Sequence, residues 1–60
     1  MERYWILGKS SEEHRRVKDY NEAIAYYNEL KEKHSSSAMT DVKLYDIINN
    51  RYLRIEYYDN

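Results

Sequence analysis

The segment DVKLYDIINNRYLRIEYYDN, residues 41–60, alternates apolar and polar side chains on either side of an asparagine pair. Period-two alternation marks strands, whose successive side chains point to opposite faces. Asn49-Asn50 reads as a two-residue hairpin turn, because asparagine tolerates the left-handed backbone better than most residues. That turn sets a register in which Leu44 faces Ile55, Val42 faces Tyr57 and Asp46 faces Leu53. On the other face Lys43 meets Glu56, Tyr45 meets Arg54 and Ile47 meets Tyr52. These are an opposite-charge pair, a cation–π pair and an aliphatic–aromatic pair. A slip of one residue would exchange the two faces.

The run DYNEAIAYYNELKEKH predicts a helix from about Asp19 to Lys33. Asp19 and Glu22 have capping-box spacing. Tyr20, Ala23, Ile24, Tyr27 and Leu30 then form one apolar stripe at helical spacing. Lysines and His34 gather in the last turns, where cations suit the helix dipole. Upstream, RYWILGK reads as a strand with apolar residues on both faces. Two readings fit SSEEHRRVK. Ser10 and Glu13 offer a second capping box that would start the helix early. Alternatively SSEE is a turn and HRRVKD a short strand. The stretch SSSA, Ser35 to Ala38, reads as a connecting loop.

The expected fold is therefore α+β in two layers. One amphipathic helix packs on an antiparallel sheet of three strands, or four if HRRVKD pairs. For three strands the expected order is 1-3-2, with Tyr52–Tyr58 central and paired to the first strand. A parallel pairing of the first two strands is the runner-up. Val42, Leu44, Leu53, Ile55 and Tyr57 should face the helix. The opposite face keeps Tyr45, Ile47, Tyr52, Arg54 and Tyr58, which a single helix cannot cover. These five residues are the candidate protein interface, although Tyr and Ile also suit exposed strand positions for their own sake.

Composition narrows the function. A chain of 60 residues makes at most one domain, and such a domain buries only about 60% of its unfolded surface. There is no cysteine, so neither disulfides nor thiolate zinc sites can reinforce it. Good internal packing or self-association, most simply as a dimer, remains. Formal net charge is -1, which offers no long-range attraction to nucleic acid. No apolar run approaches a membrane span, and a full-length cytoplasmic chain is the expectation.

One glycine cannot build a glycine-rich phosphate loop. His14 and His34 stand in charged, exposed-looking surroundings without a nucleophile or a second ligand at the usual spacing. Asp46 falls near the turn as a solvated or hydrogen-bonded rim position. No enzyme activity, cofactor or metal is expected. A second reading joins the basic cluster Arg15, Arg16 and Lys18 to sheet tyrosines that could stack bases, making the chain a single-stranded nucleic-acid binder.

DYNEAIAYYNELKEKH followed by VKLYDI resembles a pattern in small, mostly uncharacterised proteins of phages and prophages of Gram-positive bacteria. The resemblance covers about half of the chain and carries no catalytic residue. It implies an accessory role in which the protein binds and modulates a bacterial host protein.

Overall fold

The computed structural model describes residues 1–36 and 40–58. Four strands, one helix and one short 3-10 turn follow the order β1 (Tyr4–Leu7), the 3-10 turn (Ser11–Glu13), β2 (Arg15–Val17), α1 (Tyr20–His34), β3 (Thr40–Asp46) and β4 (Arg51–Tyr58). The sheet is antiparallel throughout, in the order β2-β1-β3-β4, with α1 packed on one side. HRRVKD thus supplies the fourth strand, and SSEE folds as the 3-10 turn before it. The expected loop Ser35–Ala38 begins with a turn at Ser35-Ser36. Its last two residues lie outside the described part of the chain.

The helix begins where its sequence signals a start. Asp19 is the N-cap, and its carboxylate accepts a hydrogen bond from the Glu22 N–H at 3.0 Å. This satisfies one of the amides that the first turn leaves unpaired. Ala23, Tyr27 and Leu30 are buried against the sheet. Their partners are Tyr4 and Ile6 of β1, Val17 of β2, and Val42 and Leu44 of β3. Ile24, Tyr26 and Leu53 pack around this cluster. Tyr20 stays largely exposed, its ring set edge-on to Tyr4 at 5.6 Å.

The strand order corrects the expectation. β1 pairs with β3, not with the Tyr52–Tyr58 strand, and the pairing is antiparallel: Tyr4 faces Asp46 and Ile6 faces Leu44. β4 is the outer strand. The reason lies in the side chains. On the helix side β1 offers Tyr4 and Ile6, and β3 offers Thr40, Val42, Leu44 and Asp46, all buried. These two strands tolerate central places. β4 turns charged Arg54 and Glu56 toward the same side, which suits a margin.

The hairpin register is also corrected. The turn is four residues, Ile47–Asn50, rather than two. Asp46 shapes it: Oδ1 accepts from the N–H groups of Ile48 and Asn49 at 3.1 and 3.2 Å, and Oδ2 accepts from Asn49 Nδ2 at 2.7 Å. Asn50 takes the left-handed conformation at φ 55, which asparagine accepts readily. Asp46 is 2% exposed. Its burial opposes ionisation, but the bonds from Asn49 and Arg3 outweigh this and hold its pKa below the usual value. The hairpin starts with Asp46 opposite Arg51 and Tyr45 opposite Tyr52. Then the register shifts, and Leu44 faces Arg54, Lys43 faces Ile55 and Val42 faces Glu56. Leu53 is the extra residue of a β-bulge. It leans into the core, and every β4 residue beyond it changes face. Ile55 and Tyr57, expected against the helix, lie on the open side, at 55% and 52% exposure.

A polar cluster closes the other end of the molecule. Glu13 ends the 3-10 turn and reaches the C-terminus of α1. Its Oε1 accepts from the Lys9 N–H at 2.7 Å, and its Oε2 accepts from Lys33 Nζ at 2.8 Å. His34 Nε2 lies 2.9 Å from both carboxylate oxygens. The carboxylate can only accept, so Nε2 carries the hydrogen. The Glu13 carbonyl also accepts from the Tyr26 hydroxyl at 2.6 Å. His34, expected to be exposed, is therefore buried at 6% exposure. Gly8 allows this approach, because a Cβ there would stand 2.5 Å from Glu13 Oε1 and 2.8 Å from Glu13 Cβ. The Lys33 bond is the largest cause of a Glu13 pKa lowered from 4.5 to about 2. Burial opposes that shift, while His34 and the Lys9 amide assist it.

Two outcomes follow for stability. Ile6→Val, at a fully buried site, lowers unfolding free energy by about 1 kcal/mol, read as a lower urea midpoint at unchanged slope. Glu13 is more acidic folded than unfolded, so its stabilisation is complete above its unfolded pKa of 4.5 and fades as pH falls toward about 2. In Glu13→Gln the fall in melting temperature between those two pH values becomes shallower than in wild type. Parallel profiles would contradict the role given to this carboxylate.

Candidate functional site

The sheet face away from α1 is built by alternate residues of four strands. Arg16, Trp5, Tyr45 and Tyr52 stand in one row across it, since Trp5 pairs with Arg16 on one side and Tyr45 on the other, and Tyr45 pairs with Tyr52. A second row holds Leu7, Lys43 and Ile55, and a third Asp41 and Tyr57. No element among the described residues lies over this face.

The rings of the first row touch one another edge to face. Trp5 and Tyr45 have centroids 6.4 Å apart at an interplanar angle of 87°, and Tyr45 and Tyr52 5.0 Å apart at 71°. His14 adds an edge contact to Trp5 at 6.0 Å. Such pairs contribute beyond their buried area, because the positive edge of one ring meets the negative face of the next. Cations flank both ends. The Arg16 guanidinium lies 4.8 Å from the Trp5 ring centroid, and Lys43 Nζ lies 5.7 Å from that of Tyr52. The Tyr45 hydroxyl donates to the Asn50 side-chain carbonyl, tying the row to the turn. Lys43 also bonds Asp41 at 3.1 Å, which raises its pKa.

The residues proposed from sequence separate into groups. Tyr45 and Tyr52 lie at the centre of the open face, side by side. Ile47 is the first residue of the turn, half-buried, and its N–H donates to the Arg3 carbonyl at 2.8 Å. Arg54 lies opposite Leu44 on the helix side of the sheet, beyond the cover of α1. Tyr58 pairs with Thr40 through its backbone, and its side chain is outside the described part. Of the basic trio, only Arg16 reaches the open face. Arg15 turns to the helix side and lies 4.0 Å over the Tyr26 ring. Lys18 is exposed in the bend before α1.

Trp5, Leu7, Lys43, Ile55 and Tyr57 complete the face and were not among the candidate interface residues, although the expected register already set Lys43 on this side. The signal for Trp5 and Leu7 was present: RYWILGK is apolar on both faces, as the hairpin is. Ile55 and Tyr57 could be placed only once the bulge was known. No pocket opens among the described residues, and no cluster of three or more His, Asp or Glu among them could hold a metal ion. No helix among them is long and apolar enough to cross a membrane. What the open face offers chemically is a broad, flat area of aromatic rings with cations beside it. No family model, curated protein or solved structure matches this chain.

Proposed function

We propose that this protein is a non-enzymatic interaction module that docks a partner protein on its open sheet face. The observation that carries this reading is the uncovered row Trp5–Tyr45–Tyr52, continued by Ile55 and Tyr57. Aromatic residues of this kind supply the energetic centres of interfaces. Arg16 and Lys43 favour a partner with an apolar patch and acidic groups around it. The resemblance to small phage and prophage proteins makes a bacterial host protein, met in the cytoplasm, the class of partner to test first.

One observation favours a second reading. Arg16 stacks on Trp5, so part of the basic segment joins the tyrosines on one face, as a single-stranded nucleic-acid binder requires. The ring geometry speaks against it. Edge-to-face contacts and the two cations occupy ring faces that bases would need for stacking.

The test uses capture from bacterial lysate, with and without nuclease, by wild type and by Tyr52→Asp. Tyr52 is 48% exposed, so the substitution spares the core. It does remove the Tyr45 ring contact and lower strand propensity, at a cost of about 1 kcal/mol. Circular dichroism establishes that the variant is folded. The expected result is a specific protein that survives nuclease and is lost with the variant. Titrating that purified protein against Trp5 emission should then show affinity at least tenfold weaker for Tyr52→Asp. Nuclease-sensitive recovery, or Trp5 quenching by a thymidine oligonucleotide that weakens steeply with salt, would move the assignment to nucleic acid.

A further inference from the structure

Among the described residues the outer strand β4 has a neighbour on one side only. Its eight residues direct alternate N–H and C=O groups away from β3, an unpaired edge that can accept another strand. The opposite edge, β2, is three residues long, and shortness itself protects an edge. β4 is long and contains neither proline nor lysine. Its protections are the bulge at Leu53 and the charges Arg54 and Glu56. These blunt an edge against indiscriminate pairing but leave the stretch beyond the bulge regular and its charges available to a complementary strand. Helix α1 packs on β1, β2 and β3, so β4 meets solvent on its outer edge and on much of both faces. Tyr52, Ile55 and Tyr57 all remain about half exposed.

We propose that β4 is a dimer edge: two copies of this chain pair their β4 strands antiparallel about a two-fold axis at Ile55, joining both sheets into one. The charges of the strand select this register. With Ile55 opposite its own copy, Arg54 of each chain faces Glu56 of the other, giving two equivalent ion pairs. Moving the axis by one residue sets Arg54 against Arg54 or Glu56 against Glu56, and like charges directly opposite destabilise a sheet. Moving it by half a step turns the partner over and opposes Ile55 to Arg54 or Glu56. In the selected register both helices lie on one side, and the Ile55 side chains meet on the other. The two aromatic faces then run together across the junction. Arg54 and Glu56 point away from the aromatic row, so changing them leaves that face intact, and the two proposals can fail separately.

The experiment is sedimentation equilibrium at low salt on wild type, Arg54→Glu, Glu56→Arg, the double exchange Arg54→Glu/Glu56→Arg, and an equimolar mixture of the two single variants. Circular dichroism establishes that each variant is folded. Wild type is expected to approach twice the chain mass of 7.4 kDa. Each single variant opposes like charges at both contacts, raising the dissociation constant about tenfold. The double exchange restores the dimer. The mixture also restores it, as a heterodimer, because one variant presents only acids and the other only arginines. A wild type that stays monomeric at millimolar concentration, or a dimer indifferent to these charges, overturns the proposal. So does a folded mixture that fails to recover association.

Discussion

A single helix must cover a four-stranded sheet, and it is too narrow to do so. A helix with its side chains is about 10 Å wide, whereas four strands at about 4.8 Å spacing span about 14 Å between their outer axes. Burial is therefore concentrated on β1 and β3, where Ile6, Val42 and Leu44 are removed from water entirely. The short β2 contributes Val17. β4 is left at the margin, and no element among the described residues covers the second face of the sheet. The exposed aromatic row and the outer edge of β4 both derive from this shortage of cover.

The β-bulge at Leu53 decides what the uncovered strand displays. Without the extra residue, strict alternation would send Leu53, Ile55 and Tyr57 together toward the helix. With it, Leu53 alone turns inward. Ile55 and Tyr57 join Tyr52 and Tyr45 on the open side, and the charges Arg54 and Glu56 move to the helix side, where no helix reaches. The bulge thus concentrates apolar and aromatic side chains on the open face. It also leaves a self-complementary charge pair at the edge.

The far end of the molecule needs a different closure, because a chain this short has no cysteine and little apolar area to spare. Glu13 provides it. One carboxylate collects the Lys9 amide, Lys33 and His34, and the adjacent carbonyl holds Tyr26. This binds the β1–β2 connection to the last turn of the helix. The arrangement works because Gly8 presents no side chain where Glu13 must lie. It also fixes β2 beside β1, and so brings Arg16 over Trp5.

Local rules were enough for much of this. The Asp19 cap, the Ala23–Tyr27–Leu30 stripe, the strand character of three segments and the doubled apolar pattern follow from residue type and spacing, whereas HRRVKD fitted a strand or an early helix start equally well. So does the α+β class. Tyr45 and Tyr52 were legible as open-face residues because they sit next to the turn, before the register shifts. The partner of β1, the faces of Ile55 and Tyr57, and the burial of His34 were not legible. Each depends on contacts between residues far apart in the chain. β1 chose β3 because their buried sides match, Leu53 bulged to reach the core, and His34 found its carboxylate on a turn 21 positions away. Periodicity reports which side chains share a face of one element. It cannot report which element that face meets, and that choice, made only when helix and sheet compete for limited cover, set the surface this protein presents.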